Sequence, residues 1–223
     1  MGWAEFTAAF IAFFASHSLP MRPPVRNWLT AVLGRRGFLL AYSALSLAVL
    51  AWLIVAAGRA PYVGLWDWAP WQSWTTLAIM LVVCVIAAFS LAVPNPLSFG
   101  GVNNAGFDPR APGVVRYVRH PLLVVLGLWA FGHLIPNGDL AHVILFGSFA
   151  TFAALGGRIV DRRKQRELGQ DWARLVAQIR AAPLFTWPGR PVEWLVRLVA
   201  GVALYALLIW LHPIVIGVNP VPV

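Results

Sequence analysis

The chain has 223 residues, of which 60% are hydrophobic and 11% charged, and its formal net charge is +9. So few charges cannot coat an ordinary soluble surface, and the length allows one helical bundle, a single domain over 1–223 with no separate soluble part. The basic excess does not mark a nucleic-acid binder, because the arginines flank apolar runs in a pattern that a bilayer with acidic headgroups explains.

Long apolar runs recur along the chain, and about 20 apolar residues in a helix cross a hydrocarbon core of roughly 30 Å. Taken in order, the runs predict membrane helices over Trp3–Leu19, Phe38–Ala57, Ser73–Val93, Pro121–Leu134, Leu140–Leu155 and Trp194–Ile216. These runs are apolar all round, whereas a membrane barrel needs short alternating segments. The fold class is therefore all-α, a polytopic transmembrane bundle of about six spans. No basic stretch precedes the first span, so it reads as a retained helix and not as a cleaved signal peptide. Pro136-Asn137-Gly138-Asp139 reads as a tight turn joining the fourth and fifth spans into a helical hairpin.

Charge placement sets the orientation. Arg22, Arg26, Arg35 and Arg36 follow the first span, Arg110, Arg116 and Arg119 precede the fourth, and eight basic residues run from Arg158 to Arg190. The alternate loops carry little beyond Arg59, so the positive-inside rule puts both termini outside and the basic loops in the cytoplasm. The run Arg162-Arg163-Lys164-Gln165-Arg166-Glu167 predicts a helical extension beyond the membrane, its arginines toward acidic lipid. Glu193 and Arg197, four apart, predict a local ion pair.

Tyr62, Trp66, Trp68, Trp71 and Trp74 crowd one outer loop. They read as an aromatic belt, with a lip admitting an apolar ligand as the alternative. Cys84 is alone, which excludes an intrachain disulfide, a Cys-x-x-Cys-His haem attachment and a zinc cluster built on cysteines. It reads as a buried small hydrophobe.

The chemistry-bearing residues are the five histidines, all in or at the ends of predicted spans, where an ionisable group needs a partner. The plain role for each is a capping or interhelical hydrogen bond. His120 and His133 are thirteen residues apart, roughly 20 Å along a continuous helix, so they cannot share one metal. By depth, His17 pairs more easily with His120, and His133 with His212. Asn137 and Asp139 read as turn and helix-capping residues.

Several motifs are familiar in the same order along most of the chain. Arg116-Tyr117-Val118-Arg119-His120-Pro121, Gly127-Leu128-Trp129-Ala130-Phe131-Gly132-His133-Leu134, Asn137-Gly138-Asp139-Leu140 and Phe146-Gly147 resemble the NnrU family. So do His17-Ser18 closing the first span and Asp161-Arg162-Arg163-Lys164 with Gly169-Gln170-Asp171-Trp172 after the fifth. His142 stands where the family pattern leads one to expect a small hydroxyl residue. The resemblance implies a multi-pass protein of the bacterial inner membrane linked to nitrite and nitric oxide reduction in denitrification. It also implies a relation to the 15-cis-zeta-carotene isomerases, membrane enzymes that isomerise a polyene using haem b. By that relation the haem-iron ligands are His17 and His133, with His120 a further cofactor-site histidine. The plant isomerases carry a cysteine at the position of Ala130, so their proposed alternative iron ligand is missing here.

Two other readings compete. Arg119-His120-Pro121, a helical hairpin and Leu168-Gly169-Gln170-Asp171-Trp172 are similar to isoprenylcysteine and phospholipid methyltransferases. Those enzymes hold S-adenosylmethionine partly through two adjacent glutamates, where this chain has Asp161-Arg162. The third reading is a non-catalytic accessory protein for a membrane reductase, its histidines serving as interhelical contacts.

Overall fold

The computed structural model describes residues 2–186 and 189–222. Its helices are α1 (Gly2–Ser18), α2 (Pro23–Arg59), α3 (Pro70–Ser90), α4 (Pro121–Leu134), α5 (Leu140–Leu168), α6 (Gln170–Ala181) and α7 (Pro191–Val215). Among the described residues no strand forms, and the one isolated bridge joins Gly64 to Asp139. The all-α expectation holds.

Helix starts were written in the sequence. Pro23, Pro70, Pro121 and Pro191 open four of the helices. At a first helical position proline loses only an N–H that has no partner anyway, and its fixed φ suits the helix. At α3 the Gln72 side chain also accepts the Ala69 N–H at 2.7 Å. Within the helices, Thr7, Ser18, Thr75 and Ser90 donate their hydroxyls to the carbonyl four residues back, which satisfies groups that lipid cannot.

Among the described residues α2, α3, α5 and α7 are long and apolar enough to cross a membrane, and α4 is a shorter apolar helix of 14 residues. Their outward faces carry large apolar side chains. On α7, Leu195, Val196, Val199, Val202, Trp210 and Ile214 are all exposed. Such a face is stable only against hydrocarbon. Tyr62, Trp66, Trp68, Trp71 and Trp74 are exposed as well, as an interfacial belt requires.

The chain divides into two compact units. The first comprises Met1–Trp66 and Asp139–Leu145. Here α1 lies against the second part of α2: Gly2 approaches the Arg59 carbonyl, and the His17 ring meets Tyr42. Phe6, Ala9, Phe38, Leu53, Ala56 and Ala57 form the buried seam. Gly34, at φ 68° and ψ 164°, breaks α2 into a short first stretch and the expected span, a conformation that glycine adopts without a Cβ clash. The Leu140 N–H donates to the Val63 carbonyl at 2.9 Å, fixing the start of α5.

The second unit comprises Asp67–Gly138 and Phe146–Val223. Its α3 packs on α4, where Thr76 Oγ1 donates to the Gly132 carbonyl at 2.7 Å, and on α7, where Gly201 lies so close that a Cβ would stand 2.9 Å from Val85 Cα. The hairpin expectation also holds. Going up α4, Leu123 touches Gly156, Gly127 faces Ala153, and Trp129 meets Phe149 and Phe146, so α4 and α5 run antiparallel. The helical extension through Arg162–Glu167 is present as the end of α5, closed by Gly169 at φ 55°. Amphipathic α6 then turns Val176 and Ile179 onto Leu97 and Val115, giving the loop before α4 a small apolar core of its own.

Two details depart from expectation. Glu193 and Arg197 do not pair; Arg197 Nη1 donates instead to the carbonyls of Ala88 at 2.7 Å and Leu91 at 3.2 Å. The carbonyls at the end of α3 have no intrahelical donor, and their partial negative charge attracts the guanidinium more effectively than a solvated glutamate does. The span read as Phe38–Ala57 is the second half of a longer helix that starts at Pro23, because a stretch with three arginines does not read as membrane yet remains helical.

Candidate functional site

The densest polar constellation lies in the second unit, around the histidine that precedes α4. His120 is the N-cap residue and is 9% exposed. Its Nε2 stands 3.0 Å from Asp161 Oδ1 and its Nδ1 3.0 Å from Ser98 Oγ. A carboxylate can only accept, so Nε2 carries the proton, and in the neutral ring Nδ1 accepts from the Ser98 hydroxyl. The second oxygen of Asp161 accepts from the Arg119 guanidinium, and that guanidinium lies over the Trp172 ring at 5.4 Å. Asn95 holds the frame: Nδ2 donates to the Arg119 carbonyl at 3.1 Å, and Oδ1 accepts the Leu97 N–H at 3.2 Å. Gly157 of α5 closes on the ring, since a Cβ there would stand 3.3 Å from His120 Cδ2.

Burial pushes the His120 imidazole below its ordinary value, and the Asp161 carboxylate offsets only part of that effect. Ser98, a neutral His120 ring and the Asp161 carboxylate are thus linked in the order of a hydrolase triad, but with the ring nitrogens exchanged, the serine on Nδ1 and the aspartate on Nε2. Ser98 is 3% exposed, however, and Gly157 of α5 flanks the ring, a setting for a structural tie and not for an accessible nucleophile. The tie fixes the loop before α4 to α5.

His17 and His133 have a different setting. His133, in the last turn of α4, has Nδ1 2.8 Å from the Trp129 carbonyl, with Trp129 and Phe146 rings at 5.2 and 5.3 Å. His17, ending α1 in the first unit, has Nδ1 2.8 Å from the Phe13 carbonyl and its ring 4.1 Å from that of Phe13. A carbonyl can only accept, so in both residues Nδ1 is the protonated nitrogen of the neutral ring and Nε2 presents a lone pair. Neither Nε2 has a hydrogen-bond partner among the described residues. This is the arrangement in which a metal-binding imidazole is oriented by a backbone carbonyl. His120 lacks it, both of its nitrogens being engaged.

The remaining histidines cap helices. His142 Nδ1 lies 2.6 Å from Asp139 Oδ2 while its N–H meets Asp139 Oδ1 at 3.2 Å, and Asn137 Nδ2 donates to the His133 carbonyl at 2.6 Å. His212 Nδ1 lies 2.7 Å from the Val218 carbonyl beyond α7. Cys84 is buried on α3, as its sequence context suggests. Among the described residues no group of three or more His, Cys, Asp or Glu side chains converges as a cage for a free metal ion. Within the second unit His120 and His133 stand at opposite ends of α4, so they do not meet.

Sequence reading missed Asp161 and Ser98 as the partners of His120, and Asn95 as the residue that holds the Arg119 carbonyl beside it. A signal existed for Asp161, a lone acid inside a basic run at helical spacing from the apolar part of α5. Ser98 offered none, because its loop closes on His120 only through the tertiary fold.

A family model described as NnrU protein matches residues 5–220. Comparison with curated proteins and with solved structures gave no match. With nearly the whole length covered and the histidine motifs in place, this chain belongs to the NnrU family.

Proposed function

We propose that this protein is a haem b-binding protein of the bacterial inner membrane whose iron ligands are drawn from His17 and His133, and that it acts on the double bonds of an apolar polyene. The observation that carries the reading is the shared state of those two rings: each Nδ1–H is held by the carbonyl four residues back, and each Nε2 lone pair is left over. Each imidazole, taken by itself, fits the group. Neutral imidazole is a good axial ligand, the carbonyl raises its basicity, and the aromatic rings around it hold back water.

Bound haem would supply a redox-active iron. The chain's own part is to hold the two imidazoles in one tautomer, to present aromatic and aliphatic walls to an apolar substrate, and to keep α4 fixed through the His120–Asp161 tie. Ala130 is fully buried on α4, so no thiol is available there as an alternative ligand. The family pair is favoured over the depth pair, since His120 would have to give up Ser98 or Asp161 to bind iron. Six spans, with α1 and α4 included and both termini outside, accompany this reading.

A non-catalytic role beside a membrane reductase is the second reading. It is supported by the neighbours of the His17 and His133 rings, which are backbone carbonyls, aromatic rings and the Ser16 hydroxyl, with no carboxylate bonded to either ring among the described residues. Methyl transfer is disfavoured, because Asp161 is already engaged by His120 and Arg119 and no adjacent acid stands beside it.

The absorption spectrum of the detergent-purified protein, produced with ample haem, tests the proposal. A Soret band lost in both His17→Ala and His133→Ala supports it; a haem-free wild-type protein of unchanged stability in both variants moves the accessory role ahead.

A further inference from the structure

Beside the His120 tie, with which it shares Arg119, the second unit carries a cleft of about 210 Å³ between the loop before α4 and α6. Leu97 and Val115 contribute its apolar floor, and Arg116, Tyr117, Arg119 and Arg180 line its polar walls. No acidic side chain lines it. Arg119 is neutralised by Asp161, but no carboxylate pairs with Arg116 or Arg180 among the described residues.

Arg116 is the informative residue. It is half-buried, and its Nε donates to the Ala182 carbonyl at 2.9 Å, which fixes the plane of the guanidinium and the end of α6 together. Tyr117, next along the chain, donates its hydroxyl to the Leu184 carbonyl and locks the same segment. A guanidinium oriented through Nε still has two terminal nitrogens to offer as a fork, which matches two oxygens of a tetrahedral anion. A half-buried cation without a counterion is costly, and a cleft lined by one sign of charge focuses its field.

The geometry points to a binding site for a phosphate group, gripped by Arg116 and Arg180 with Arg119 behind them. The group comes either from the headgroup of an acidic lipid or from free phosphate. A lipid source suits the position, since Arg119 lies two residues before the first residue of the apolar helix α4. This inference is independent of haem and of the histidine pair.

The test uses the full chain in a neutral detergent, titrated with inorganic phosphate, dioctanoyl phosphatidic acid and dioctanoyl phosphatidylcholine, with binding followed calorimetrically. Phosphatidic acid bound at least ten-fold more tightly than phosphate supports the site with a lipid source; equal affinities support it with free phosphate. Arg116→Gln/Arg180→Gln should weaken binding of the anion ten-fold or more. Arg180→Gln alone changes an exposed side chain and guards against misfolding of the double variant; it should still weaken binding at least three-fold. Arg174→Gln, on the same helix but paired with Asp171, should bind as the wild type does. The proposal is overturned if neither anion binds, if phosphatidylcholine binds as tightly as phosphatidic acid, or if the folded double variant keeps wild-type affinity.

Discussion

His120 donates from Nε2 to Asp161 Oδ1 across 3.0 Å, a bond between residues 41 positions apart that joins the start of α4 to the last third of α5. Because the Arg119 guanidinium takes the other carboxylate oxygen, one aspartate neutralises one cation and orders one imidazole. Removing it leaves two half-buried donors unpaired. Asp161→Ala should therefore cost about 2–3 kcal/mol of stability, against about 1 kcal/mol for Ser98→Ala, which removes a neutral bond. Thermal melting in detergent measures both; equal effects of the two would count against the charged tie.

The same pair predicts a pH dependence. His120 lies in the loop ahead of α4, outside the membrane-spanning helices, and burial lowers its pKa in the folded state. Between that lowered value and the ordinary one of about 6.5 the unfolded chain binds more protons, so stability rises with pH there. The contribution is fully present above about pH 6.5 and is lost as pH falls below it. The melting temperature should drop from pH 7.5 to pH 5, and His120→Gln should flatten that drop.

Haem binding separates the histidines. Loss of the Soret band in His17→Ala and His133→Ala, with the band kept in His120→Ala, is the expected pattern, because only the first two present a free Nε2. Loss in His17→Ala and His120→Ala with retention in His133→Ala would favour the depth pair instead.

Close helix contact in the second unit is tested at Gly201. A Cβ there would lie 2.9 Å from Val85 Cα and 3.2 Å from the Cys84 carbonyl, backbone that cannot yield as a side-chain tip can. Gly201→Val should destabilise the α3–α7 pair by about 1–3 kcal/mol. Gly147→Ala, where a Cβ meets nothing within 4 Å, should be nearly neutral, and a melting comparison decides.

Topology follows from the basic loops. A reporter fused after Val223 should be active as a periplasmic marker and silent as a cytoplasmic one, and a cysteine placed at Arg163 should label only from the cytoplasmic side. A cytoplasmic C-terminus would mean an odd number of spans.

The sequence by itself determined the helical class and the start of α4 at Pro121, since apolar runs and a proline at a first position act locally. The helices at Pro23, Pro70 and Pro191 begin ahead of the apolar runs read at Phe38, Ser73 and Trp194. The sequence also determined the turn at Asn137–Asp139 and the extension of α5 past the apolar run, both set by short-range hydrogen bonds and helical periodicity. Only the tertiary structure decided the partners. Arg197 sits four residues from Glu193 yet serves the carbonyls at the end of α3, and His120, flanked by an arginine and a proline, finds Asp161 and Ser98 on distant segments. The reason is that a buried polar group is satisfied by whatever the packing of distant helices brings within about 3 Å, and that distance is not encoded in the spacing of residues along the chain.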